Sequence, residues 1–115
     1  MKIALLAPAD SPHAVKWANM FQKRGNSVTV FSLPEDKPDD LLYDAGISVN
    51  YLEVKAADDG LKANAKNLKR LISAGDFDVV NAFGANTYGV LAMNAKQKYL
   101  LILRVKIFPT IITRI

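Results

Sequence analysis

MKIALLAPADSPHAVKWANMFQKRGNSVTVFSL, residues 1–33, encodes a strand, a helix and a second strand in one stretch. Lys2–Ala7 (KIALLA) is an unbroken apolar run, the pattern of a central parallel strand covered on both faces. Pro8–Ser11 is a loop. Ser11 followed by Pro12 predicts a helix start, with a hydroxyl to cap free N–H groups and proline at the first helical position. Ala14, Trp17, Ala18 and Phe21 recur at i, i+3, i+4 and i+7, which predicts one buried stripe with Trp17 in the core. Lys16, Asn19, Gln22 and Lys23 fall off that stripe. Gly25 supplies a C-terminal stop. Val28 and Val30 then alternate with Thr29 and Phe31, which predicts a second strand.

The rest of the chain repeats this alternation. Pro34–Asp40 is a polar loop, and Asp44–Ala45–Gly46 turns into a third strand, Ile47–Leu52, with Ile47, Val49 and Tyr51 on one side. Asp58–Asp59 precede a helix with Leu61, Ala65, Leu68 and Ile72 on its buried stripe. Lys69–Arg70 lie near its end and Gly75 closes it, a charge order that suits the helix dipole. Phe77–Ala82 reads as a fourth strand and Phe83–Ala85 as a tight loop. Asn86 or Thr87 then caps a helix carrying Tyr88, Leu91, Ala92 and Ala95. Tyr99–Val105 reads as a fifth strand. Ile107–Ile115 reads as a further strand that Pro109 confines to a sheet edge. This order predicts an α/β, Rossmann-like fold with a mainly parallel sheet and flanking helices. Ligands in such folds bind beyond the carboxyl ends of the strands, which selects two loops, Ala7–Pro12 and Phe83–Thr87.

Composition narrows the function classes. The chain has 115 residues, half of them hydrophobic and 23% charged, as expected of one globular domain. It has no cysteine, which excludes disulfides, thiolate metal sites and cysteine nucleophiles. Met1–Ala7 is too short an apolar stretch for a secretory leader. The net charge of +4 is unevenly placed: residues 1–95 hold 10 Lys/Arg against 11 Asp/Glu, whereas residues 96–115 hold 5 Lys/Arg and no acid. The body of the domain therefore has no basic character that would point to nucleic acid. No GxGxxG or GxxxxGK[ST] occurs, so dinucleotide and P-loop readings lack their phosphate-binding turn.

The opening stretch resembles the N-terminal domain of bacterial family 4 (group 1) glycosyltransferases of the GT-B architecture. His13, Trp17–Ala18, Arg24–Gly25 and Val28–Val30 stand at matching spacings, and Phe77–Ala82 with Tyr88–Gly89 resembles a second family landmark. The resemblance runs to about residue 103. It implies two Rossmann-like domains around a cleft. The N-terminal domain binds a sugar or glycolipid acceptor. The C-terminal domain binds a nucleotide-sugar donor, and transfer typically retains configuration without a metal. It further implies a role in cell-surface polysaccharide synthesis, in the cytoplasm or at the inner face of the membrane. Two departures stand out. Members commonly carry a histidine where this chain has Phe83. From Arg104 the sequence reads RVKIFPTIITRI, basic and apolar, where members continue with a small-residue, acid-containing loop. The expected organisation is a glycosyltransferase-like domain over residues 1–103 and an atypical tail over 104–115. The chain then reads as a truncated half-enzyme, inactive alone. The tail has three readings: a native edge strand pair, a membrane-contacting segment, or out-of-frame sequence, which the abrupt change in charge favours. A non-catalytic flavodoxin-like binding module is the alternative for the whole chain.

The candidate cleft residues are Asp10, Ser11, His13, Lys16, Phe83, Gly84, Asn86 and Tyr88. Each also has a plain structural reading: Asp10 and Ser11 as turn and cap, His13 and Lys16 as exposed helix residues, Gly84 as a turn former, Asn86 as a cap. His13, the one histidine, cannot make a metal cluster, and no partner Ser-His-Asp constellation accompanies it. No catalytic residue, metal ligand or resident cofactor is assigned to these 115 residues.

Overall fold

The computed structural model describes residues 1–40, 42–95, 99–102 and 110–114, with 85, 86 and the last two segments described by their backbone. The elements are β1 (Lys2–Leu6), α1 (Pro12–Lys23), β2 (Ser27–Ser32), β3 (Ser48–Tyr51), α2 (Gly60–Ala63), α3 (Ala65–Gly75), β4 (Val79–Ala82), α4 (Gly89–Asn94), β5 (Tyr99–Ile102) and β6 (Thr110–Arg114). Short 3-10 turns occupy Pro34–Asp36 and Ala56–Asp58, and a single π-helical turn spans Gly84–Tyr88. The sheet order is β3-β2-β1-β4-β6-β5. The first four strands are parallel, with β1 between β2 and β4: Leu6 is level with Phe31 on one side and Ala82 on the other.

Alternation along β1 divides the core between two layers. Ile3 and Leu5 join Val28, Val30 and Ala18 beneath α1, with Ile47, Val49 and Tyr51 packed alongside. Ala4 and Leu6 face the other way, with Phe31, Val80 and Ala82, against Leu68 and Ile72 of α3 and Leu91 and Ala92 of α4. The predicted Rossmann-like α/β arrangement is therefore present: β1, β2 and β4 are covered on both faces, as continuous apolar runs require, while β3 at the edge leaves Ser48 and Asn50 exposed.

Several local expectations change. Trp17 is only half-buried, its ring 5.7 Å from that of Phe21. Ala14 and Ala18 carry the buried stripe, and two methyl groups bring α1 too close to the sheet to leave depth for an indole. Ser11 occupies the cap position of α1 but its side chain makes no capping bond; its N–H closes a turn onto the Pro8 carbonyl at 3.0 Å. The stop at Gly25 follows its sequence reading. Its φ is +89°, its N–H bonds the Gln22 carbonyl, and the Asn26 N–H bonds that of Phe21, the paired arrangement of a Schellman motif. The single helix expected after Asp58–Asp59 is divided at Asn64. That side chain accepts the Val54 N–H at 3.1 Å and donates to the Val54 carbonyl at 2.7 Å. It draws the helix towards a neighbouring loop, the competition with regular structure that short amides are suited to. Gly75 does not supply the left-handed stop; Asp76 does, with φ 51°. Gly75 is glycine for space, since a β-carbon there would lie 2.9 Å from Cζ of Phe77. Thr87 does not cap the third predicted helix, because the π-helical turn runs straight into α4 with Tyr88 at the junction.

The largest correction concerns the last strand. Thr110–Arg114 lies inside the sheet, antiparallel to both β4 and β5, and β5 takes the edge. Only 7 residues separate β5 from β6, too few for the crossover of a dozen or more that a parallel neighbour needs. The strand starts at Thr110, one residue past Pro109. Residues 103–109, which include Arg104, Lys106 and half of the atypical tail, lie outside the described residues. Among the described residues no helix is long and apolar enough to cross a membrane.

Candidate functional site

From β1 the chain builds the sheet outward through β2 and β3, then crosses back to add β4 on the other side of β1. The order therefore reverses between β1 and β4, the place where open α/β sheets form a ligand crevice. The Phe83 N–H donates to the Leu6 carbonyl at 2.9 Å, so the loops after these two strands leave the sheet side by side. Both loops selected from the sequence meet here.

Asp10 is exposed in the turn after β1, and Ser11 is half-buried. His13 and Lys16 are exposed on the first turns of α1. Phe83 is half-buried and packs against the α1-side core. Gly84 has φ +81° and open space where a side chain would project. It lets the chain enter the π-helical turn at a conformation an L residue resists. Asn86 lies within that turn, and its side chain is outside the described residues. Tyr88 is the exception among the candidates: it is 3% exposed, and it holds the loops together from beneath.

Its hydroxyl is the centre of a buried network. It donates to Oδ2 of Asp36 at 2.6 Å and receives the Leu33 N–H at 3.0 Å. Oγ of Ser32 lies 3.4 Å away and accepts the Ala9 N–H at 3.0 Å. The Ala9 carbonyl accepts the hydroxyl of Tyr43 at 2.8 Å. One chain of bonds thus ties together the loops after β1, β2 and β4. Buried polar groups joined in this way fix geometry, because opening any one leaves a desolvated donor or acceptor.

Burial, with smaller contributions from Tyr51 and Asp10, pushes the Tyr43 phenol up to about 12. Burial and then its bond to Asp36 raise that of Tyr88 as well. A phenol whose folded pKa exceeds its unfolded value near 10 stabilises the fold fully below pH 10. That contribution is lost as pH rises, because the unfolded chain ionises first. Urea unfolding free energy is therefore expected to be flat between pH 8 and about 9.5 and to fall from about pH 10 to 12. Tyr43→Phe should shallow that fall; an unchanged slope would show that Tyr43 is not protected.

Sequence reasoning missed Ser32, Asp36, Tyr43 and Asn64, since no spacing rule links residues that meet only through the sheet. It also passed over Asn81 within an apolar run. Asn81 is 5% exposed, level with Leu5, and its Oδ1 is without a hydrogen-bond partner among the described residues. The crevice offers hydroxyl, carboxylate and imidazole groups and an apolar ring. Phe83 can neither carry a proton nor bond a hydroxyl. Among the described residues no three His, Asp or Glu side chains converge as a metal site.

A family model described as glycosyl transferase 4-like matches residues 2–106. The match spans all four parallel strands and both crevice loops. No curated protein matches the chain.

Proposed function

The chain belongs to the glycosyl transferase 4-like family, and on that premise we propose that it forms the acceptor-binding lobe of a nucleotide-sugar-dependent glycosyltransferase of cell-surface polysaccharide synthesis. The acceptor, a sugar or glycolipid, lies across the crevice at the carboxyl ends of β1 and β4. Asp10, Ser11, His13 and Lys16 approach it from the first loop and α1. Phe83, Gly84 and Asn86 approach it from the second, and Tyr88 positions that turn. The observation that carries this reading is the coincidence of the family match with a strand-order reversal between the two loops. The work takes place in the cytoplasm, with peripheral contact at the inner face of the membrane.

In this division of labour the nucleotide sugar is held by a second lobe, so the 115 residues by themselves transfer no sugar. Transfer needs groups that stabilise the departing nucleoside diphosphate, usually the largest catalytic contribution. Phe83 at the strand-four loop supplies no proton transfer towards the reacting sugar. Calorimetry of the 115-residue chain with UDP-glucose and GDP-mannose is expected to give no binding in the micromolar range. Micromolar affinity for either would overturn the assignment of the donor to another lobe.

A further inference from the structure

Residues 11–34 contain Lys16, Lys23, Arg24 and His13 but no carboxylate, and α1 with its cap Arg24 carries all four. The two flanks of this helix differ. One is engaged: Asn19 donates to the Leu42 carbonyl and accepts the Asp44 N–H at 2.9 Å, and Gln22 donates to the Ala45 carbonyl at 2.6 Å. With 3.6 residues per turn, Trp17 and Arg24 fall on the opposite flank, Met20 lies next to them, and Lys23 tops the outer crest. Lys23 and Arg24 are exposed, while Trp17 and Met20 are half-buried. The Trp17 ring stacks on Phe21 of the same helix at 5.7 Å and keeps an open edge. Met1 lies past the C-terminal end of α1. Alternation along β1 puts it on the same face as Ile3 and Leu5, and its side chain is 67% exposed. Its ammonium bonds Oδ1 of Asn26 and its carbonyl accepts the Ser27 N–H. A solvated helix face intersperses both charge signs; this one interleaves cations with an indole and two thioethers.

We propose that Trp17, Met20, Lys23, Arg24 and Met1 with its ammonium form the surface on which the domain rests against an anionic lipid bilayer. The cations meet acidic headgroups, and the indole sits at headgroup level, where its ring is apolar and its N–H is wet. The two methionines reach the boundary with the acyl chains. A polyanion without an apolar layer, such as RNA, would leave Met1 and Met20 in water. The apolar area is small, so attachment is reversible and weakens with salt. The proposal rests on the peripheral membrane contact proposed above and assigns it to α1 instead of the basic tail. The 12 residues of α1 start at the crevice and span about 18 Å at about 1.5 Å each. With α1 lying along the surface, the crevice opens at headgroup level beside the bilayer.

Trp17 is the one tryptophan of the chain, so its fluorescence reports on α1 alone. The test titrates the 115-residue chain with vesicles of phosphatidylcholine, with and without phosphatidylglycerol, and follows emission together with cosedimentation. A blue shift is expected with the anionic vesicles, absent with phosphatidylcholine alone and reversed as NaCl rises from about 50 to about 500 mM. The double variant Lys23→Gln, Arg24→Gln should bind about tenfold more weakly or worse, since each cation near an acidic surface contributes several-fold. Both positions are exposed, and an unchanged far-UV spectrum confirms that α1 persists. The triple variant Arg104→Gln, Lys106→Gln, Arg114→Gln should keep the blue shift. Cosedimentation with Trp17 emission unmoved, or binding indifferent to the α1 variant, would overturn the α1 surface and leave peripheral contact to the tail. An equal shift with poly(U) would overturn the bilayer as its partner. No cosedimentation with either vesicle would remove both the surface and the peripheral contact.

Discussion

Gly60→Ala is expected to cost the domain about 3 kcal/mol or more. A β-carbon at Gly60 would lie 2.6 Å from the Lys55 carbonyl oxygen and collide with that of Val54 as well. Both obstacles are backbone and cannot rotate aside. The start of α2 would have to withdraw, breaking the bond from the Gly60 N–H to the Lys55 carbonyl. It would also strain the two bonds between Asn64 and Val54 that seat the α2–α3 junction. Domains of this size are stable by only about 5–15 kcal/mol, so the loss is a large share of the total. Gly25→Ala is the control. Gly25 has φ +89° but nothing within 4 Å of the added atom, so its cost is backbone strain alone, about 1–2 kcal/mol. Urea unfolding of the two variants beside the parent separates steric from conformational cost. If Gly60→Ala lost no more than Gly25→Ala, the close approach of α2 to residues 54–55 would be wrong.

Tyr88→Phe is expected to cost about 2–3 kcal/mol, although it removes a single oxygen atom. The volume of the buried ring is kept, so almost no cavity term enters. The Leu33 N–H loses its acceptor, Asp36 loses a donor at 2.6 Å, and Ser32 loses a neighbour. A buried amide left without a partner loses its hydration with nothing in return. The consequence reaches the crevice, because these bonds join the loop after β2 to the turn after β4. Hydrogen exchange should therefore rise at residues 33–36 and 84–88 in the variant, while α1 and β3 keep their protection. A double-mutant cycle with Asp36→Ala should show coupling of about 1 kcal/mol or more, since the two groups share one bond. Loss below about 0.5 kcal/mol for Tyr88→Phe would mean that the hydroxyl does not hold the loops.

The candidate site was legible in proportion to how local its logic is. The two crevice loops follow from the end of each apolar run, and the structure sets them side by side through the bond from Phe83 to Leu6. The helix stripes follow from a period of 3.6, and Leu68, Ile72, Leu91 and Ala92 are buried as that period requires. Trp17 obeys the same period and is still excluded from the core, because how deep a helix packs depends on its other contact residues. Tyr88 was legible as an apolar-stripe residue but not as the centre of a network. Its partners Ser32 and Asp36 are more than 50 residues away in sequence, and nothing in their local spacing marks them.

By itself the sequence determined that this is an α/β domain with a parallel sheet. Continuous apolar runs alternating with amphipathic helices have few other ways to bury both faces of each strand. It also determined the family resemblance that the glycosyl transferase 4-like match upholds. Only the tertiary structure decided the order in which the strands lie, and with it the reversal between β1 and β4 that makes a crevice. Only the tertiary structure placed Thr110–Arg114 inside the sheet rather than at its edge. The physical reason is the same in each case. Periodicity records which face of an element is apolar, while pairing, register and buried hydrogen bonds arise between elements that the chain brings together from far apart.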